Sequence, residues 1–115
     1  MPTPTEIRYD RASRVLRVAF DDGASFALPA EYLRVESPSA EVQGHGPGQR
    51  MYVRGKQNVA IAEVEPVGHY AVRLVFDDGH DSGIFSWDWL YELGSRQTEK
   101  WDAYLAALAA RGLAR

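Results

Sequence analysis

The chain contains no cysteine. Disulfide frameworks, thiolate metal sites, iron–sulfur ligation and cysteine nucleophiles are therefore excluded by composition alone. It also lacks any apolar run near the roughly 18 residues a membrane helix needs. The opening Met1-Pro2-Thr3-Pro4-Thr5 has neither the basic start nor the apolar centre of a secretory leader. A soluble cytoplasmic protein with no membrane partner is the expectation. Nor is there an excess of positive charge: 13 basic against 16 acidic side chains, interspersed, give a net charge of −3. Nucleic acid is met mainly through concentrated cations that release counterions, so no nucleic-acid partner is expected.

What is present is enough apolar material, 45% of 115 residues, for one core without disulfides or metal. A single domain over 1–115 is expected, with its core over about 6–94 and a closing helix over about 96–111. Eleven of the 13 cations are arginine, a side chain suited to bidentate pairing with carboxylates or phosphates.

The tetrapeptide Phe-Asp-Asp-Gly occurs at 20–23 and again at 76–79. An offset of 56 residues brings Leu16, Val18 and Phe20 onto Val72, Leu74 and Phe76, and Arg17 onto Arg73. The alternation has strand periodicity, placing each apolar trio on one face and each arginine on the other. Asp-Gly after such a run marks a tight turn, because glycine accepts positive φ without steric cost. Each copy is followed by a short strand, Ser25–Leu28 and Ser82–Phe85, and then by a helix opening at Pro29 and at Ser86. Each is preceded by a partner strand, Ile7–Asp10 and Val59–Val64. The fold class is therefore α+β: two related β-β-β-α halves with mainly antiparallel strands, plus a C-terminal helix capped by Ser95, stopped by Gly112 and apolar along Trp101, Leu105 and Leu108 with Tyr104 alongside.

On this reading the aspartates are solvated turn residues. The competing reading gives Asp78, His80 and Asp81 to a metal. His45, His69 and His80 have no metal-ligand spacing, and each alone reads as a surface or turn histidine. No serine sits in a nucleophile elbow, so nothing supports a catalytic residue, and no cofactor is expected. Between the halves, Glu36–Asn58 exceeds an ordinary connection. Ser37 with Pro38 starts a helix that ends near Gly44. The glycine-rich Gly44–Arg50 matches neither the P-loop nor the dinucleotide fingerprint, although Arg50, Arg54 and Lys56 could hold an anion in the loop Gly44–Lys56. In Ser86–Gly94, Trp87 pairs with Tyr91 and Trp89 with Leu93 at helical spacing. A helix so apolar is expected to lie between a sheet and the closing helix, or else to present Trp87 to a partner.

The run Glu65–Val72 leading into Phe76–Trp87, with its VGxYA…FDDGHDSG…SW pattern, resembles the gamma-butyrobetaine hydroxylase-like N-terminal domain family. So does Tyr32-Leu33-Arg34 leading to Ser37–Val42 and Gly44–Gly46, and the likeness covers about 6–94. In that family the domain precedes carnitine-pathway oxygenases, accompanies P-loop scaffold ATPases of iron–sulfur assembly, and occurs as small free-standing proteins. The resemblance implies an accessory module. Its oxygenase members hold a structural zinc with three cysteines in a CxCxxC arrangement and a later histidine. Here the histidine position is His80, while the cysteine positions read Ser37, Ser39 and Val42. A serine hydroxyl does not ionise near neutral pH and valine has no donor atom, so no structural zinc is expected. In its place one expects Ser37 as a helix cap, about 1 kcal/mol, and burial of Val42, about 1.5–3 kcal/mol. The functional expectation is a non-enzymatic accessory or adaptor domain with a protein partner, linked to cofactor or iron–sulfur metabolism. The partner surface is expected at His45, Arg50, Arg54 and a neighbouring Trp87.

Overall fold

Each apolar trio becomes the middle strand of its own antiparallel sheet. The computed structural model describes residues 2–38 and 53–115. The first half comprises β1 (Pro4–Asp10), β2 (Val15–Phe20), β3 (Ser25–Pro29) and α1 (Ala30–Val35). The second comprises β4 (Ile61–Val67), β5 (Ala71–Phe76), β6 (Gly83–Ser86) and α2 (Trp87–Ser95), followed by α3 (Gln97–Ala110). The sheets run in the order β1-β2-β3 and β4-β5-β6. Leu16, Val18, Phe20, Val72, Leu74 and Phe76 are all buried, and they share one core with Leu28, Leu33, Phe85, Leu90 and Leu93. Arg17 and Arg73 point the other way, and Arg73 bonds Glu65, directly across on β4.

The strand β4 begins and ends later than expected. It pairs with β5 up to Val67↔Ala71, so Pro66 lies inside the strand and the turn is Gly68–Tyr70. Proline is tolerated there because β4 is an edge strand.

Both Phe-Asp-Asp-Gly copies make the same turn, with glycine at φ 91° in each. In the first, Phe20 N–H donates to the Ala24 carbonyl and the Ala24 N–H donates to Asp22 Oδ1. In the second, Phe76 N–H donates to the His80 carbonyl and the His80 N–H to Asp78 Oδ1. The preceding aspartate clamps the incoming chain. Asp21 exchanges bonds with Thr3 at 2.9 and 3.1 Å, and Asp77 with Ala60 at 2.9 and 3.0 Å. The second aspartate closes the turn by an Asx bond and the first fastens the segment leading to the outer strand, so the repeat is structural.

The aromatic helix α2 packs on β3, β6 and α3. Ser86 caps it, its hydroxyl accepting from Trp89 N–H at 3.1 Å. Leu90 and Leu93 are fully buried, whereas Trp87, Trp89 and Tyr91 flank them half-buried. The Tyr32 hydroxyl donates to the Leu93 carbonyl at 2.7 Å, tying α1 to α2. The lack of competing water pushes the Tyr32 hydroxyl pKa well above its usual value, with Glu36 and Glu92 adding to the effect.

The closing helix departs from expectation at its start and on its buried face. Ser95 is the last residue of α2, its hydroxyl bonding back to the Glu92 carbonyl, and it caps nothing in α3. The α2 helix runs on through Gly94 because that glycine lets the helix approach Phe26 of β3. On α3 the buried residues are Tyr104 and Leu108, with Trp101 packed beside them, while Leu105 is exposed. Gly112 does stop the helix. At φ 68° its N–H reaches the Ala109 carbonyl, and the Leu113 N–H reaches back to the Leu108 carbonyl at 2.8 Å. This paired reverse bonding folds Leu113 against Val35, Tyr104 and Leu108. Gly112→Ala should cost about 1 kcal/mol, the penalty of a Cβ in the left-handed region. Chemical denaturation should report that loss with an unchanged slope.

Candidate functional site

Among the polar residues singled out from the sequence, Asp78, Lys56, His80 and Ser37 meet around the second Asp-Asp-Gly turn. There, side chains from both halves meet. Asp78 Oδ2 accepts from Arg34 Nε of α1 at 2.9 Å and lies 2.6 Å from Lys56 Nζ. Arg34 is buried although α1 is otherwise mostly apolar, and the Asp78 side chain is only 17% exposed. Burial alone would raise the Asp78 pKa. Hydrogen bonds from Lys56, from the His80 N–H and from Arg34 outweigh burial and hold it at about 2. The first half has a counterpart: Asp22 Oδ2 accepts from the Tyr91 hydroxyl of α2 at 2.7 Å. Each turn thus clasps the helix of the opposite half.

His80 closes the turn, as expected, but is buried rather than at the surface, because its ring turns inward beside Phe76 and against Ser37. Its Nε2 shares a 2.9 Å hydrogen bond with Ser37 Oγ, and Ser37 is itself fully buried. Gly83 passes so close to Ser37 that a Cβ there would overlap the hydroxyl. The next residue back, Glu36, gives its carbonyl to the Trp89 indole N–H at 3.1 Å.

The residues proposed for a metal do not point at one position. The Asp78 carboxylate faces Arg34 and Lys56, the His80 ring faces Ser37, and Asp81 lies exposed, 3.5 Å from Arg73. Among the described residues no group of three or more histidines, aspartates or glutamates could hold an ion. The zinc of the oxygenase members likewise does not fit. Ser37 and His80 are side by side, as the shared motif positions require, but the ring nitrogen is engaged by a hydroxyl that does not ionise near neutral pH. A hydrogen bond and an ion pair fasten this corner. Ser39 and Val42, and the helix expected from Pro38 with its cap and the burial of Val42, lie outside the described residues.

The expected partner surface is split. His45 and Arg50 fall outside the described residues. Arg54 is exposed in the segment whose Lys56 reaches Asp78, at the turn end of β5. Trp87 sits at the other end, its backbone N–H donating to the Tyr70 carbonyl and its indole N–H to the His69 carbonyl at 2.8 Å. The six residues of β5 separate the two ends by about 20 Å, so Arg54 and Trp87 stand toward opposite ends of that strand. Two features escaped the sequence reading: Arg34 as the partner of Asp78, and an ion pair between Glu31 and Arg115. Arg34 carried a signal, a lone cation within Ala30–Val35.

The profile of the family "Gamma-butyrobetaine hydroxylase-like, N-terminal" matches residues 7–91. The chain belongs to this family. A protein known from an NMR solution structure is 51% identical, with all of this chain and 90% of that one aligned at a TM-score of 0.86. A second NMR structure is 50% identical at the same TM-score, covering 100% and 86%. A crystal structure from Acidithiobacillus ferrooxidans, of a protein of unknown function in the DUF971 family, is 46% identical over 79% of this chain and 91% of that one, with a TM-score of 0.67. No curated protein matches. No helix among the described residues is long and apolar enough to cross a membrane.

Proposed function

We propose that this family member is a non-enzymatic accessory domain that binds a protein partner through the face formed by Tyr70 and Trp87. The observation that carries this reading is the exposure of Tyr70, at 59%, beside a tryptophan whose backbone N–H and indole N–H both donate to backbone carbonyls. Pro2, Thr3 and Asp88 complete a shallow cleft of about 120 Å³ there. Tyrosine and tryptophan offer large contact area with little entropy to lose, and they dominate binding hot spots. The conspicuous charges in the described residues are, by contrast, engaged internally: Arg34 and Lys56 with Asp78, Arg73 with Glu65, Arg115 with Glu31. Such pairing suits a scaffold better than a reaction centre. The family company described above directs the search for the partner toward cofactor or iron–sulfur metabolism.

Tyr70→Ser is the discriminating variant, because an exposed turn side chain should alter stability by no more than about 0.5 kcal/mol. Partner affinity, measured by calorimetry with the co-purified protein, should fall about 30-fold or more, the signature of a hot spot. Unchanged affinity in Tyr70→Ser, together with a Trp87→Ala variant that melts early but binds normally, would place Trp87 in the core and refute the reading.

A further inference from the structure

We propose that the pocket between the starts of α1 and α3 is a binding site for a guanidinium group, and that the chain's own Arg115 occupies it here. With Arg115 filling part of it, about 280 Å³ stays open beside that side chain, lined by Pro29, Glu31, Tyr32, Gln97, Trp101 and Arg115 itself. This proposal is independent of the partner surface at Tyr70.

Glu31 is the anomaly that prompts it. Its side chain is only 10% exposed, and a carboxylate so buried is costly unless it is paired. Both of its oxygens are met by one guanidinium: Arg115 Nη2 at 2.8 Å and Nε at 2.9 Å. The two partners are unequally held, since the Arg115 side chain is 43% exposed. The acid sits on α1, nearly covered with Arg115 in place, whereas the cation reaches it from the chain beyond Gly112. A second recognition element lies in the same place. The guanidinium carbon stands 5.6 Å from the centre of the Trp101 ring. That ring is fixed by Tyr32, edge-on at 6.2 Å, and by Tyr104 at 5.2 Å. A carboxylate that accepts two parallel N–H bonds, beside an aromatic face, selects a flat forked cation over an ammonium point charge.

Arg115 reaches this place through the chain reversal at Gly112. Leu113 is anchored in the small apolar cluster with Val35 and Leu108, but beyond it the backbone is held by an exposed bond from Gln57 Nε2 to the Arg115 carbonyl at 3.2 Å. The backbone after Leu113 can therefore shift while the core stays packed. A tethered side chain competes at an effective concentration in the millimolar range, so it would screen the pocket from weak ligands.

The test titrates ¹⁵N-labelled Arg115→Ala protein with N-acetyl-arginine amide and follows the Trp101 indole signal. Saturable shifts with a dissociation constant on the order of millimolar are expected, as a single ion pair and ring contact provide. The unaltered protein should bind about five-fold or more weakly. Adding Glu31→Gln to the Arg115→Ala protein should abolish binding while the spectrum keeps its dispersion. An arginine-centred pentapeptide run in parallel identifies the source: tighter binding than the amide assigns the group to a protein chain, equal binding to a small molecule. The proposal is overturned by an absence of saturable shifts in folded Arg115→Ala protein. It is equally overturned if N-acetyl-norleucine amide, which has the alkyl chain without the charge, binds as well.

Discussion

Gly94→Ala is expected to destabilise the domain by about 2 kcal/mol, and so to lower the melting temperature by roughly 8–15 °C for a chain of this size. The sign is the informative part. Gly94 lies inside α2, where alanine is ordinarily better than glycine by about 1 kcal/mol. Helix propensity therefore predicts a gain. The geometry predicts a loss, since a Cβ at Gly94 would overlap three atoms of the Phe26 ring. Phe26 is not free to retreat, because it stands edge-on to both Phe20 and Tyr91, at 5.9 and 5.5 Å. Thermal melts of Gly94→Ala, Phe26→Leu and the double variant decide the matter. If α2 rests on β3 through this glycine, the double variant should recover part of the loss, a coupling of about 1 kcal/mol or more. A melting temperature that rises in Gly94→Ala would separate α2 from β3.

Gly94 also marks the boundary of what the amino-acid sequence discloses. Strand alternation around the two Phe-Asp-Asp-Gly turns is a local signal, and it located both sheets, their buried faces and the helix after each. The helix opening at Ser86 was equally local. By contrast, a glycine near a helix end reads as a terminator unless one knows which ring lies across from it, so the start of α3 was misplaced at Ser95. The same limit applies to the site. The sequence placed His80 in a turn, which it is, but a turn residue faces solvent or core according to what packs above it. Here Ser37 lies above, and the ring is buried. The resemblance of Ser37 and His80 to zinc-ligand positions was the one signal that paired them across 43 residues. Nothing local announced that Arg34 reaches Asp78, or that Arg115 reaches Glu31, since those pairings span 44 and 84 residues.

Asp78→Asn should be far more costly than Asp22→Asn, although the two aspartates hold the same place in the same turn. Asparagine preserves the Asx bond to the turn N–H in both cases, so the comparison isolates the charge. At Asp22 the change only weakens an exposed bond from the Tyr91 hydroxyl. At Asp78 it removes the charge of a carboxylate that buried Arg34 and Lys56 both meet, a loss of about 2–3 kcal/mol. The pH dependence has a definite sign. A carboxylate held at about 2 in the folded protein, against an ordinary value of 3.8, stabilises the fold above pH 4, where both states are ionised. That contribution falls away as the pH drops from about 4 toward 2, since the unfolded chain takes up its proton first. Its size is about 1–2 kcal/mol after solvent screening. Asp10, Asp22, Glu65 and Glu99 are also held below their usual values, so the unaltered protein loses stability over the same range for several reasons. Denaturation curves of wild type and Asp78→Asn, taken from pH 6 to pH 2, should therefore be well separated at neutrality and converge in acid. Curves that stay parallel would mean that Arg34 and Lys56 do not hold the Asp78 charge, and the clasp between the halves would have to lie in the Ser37–His80 bond alone.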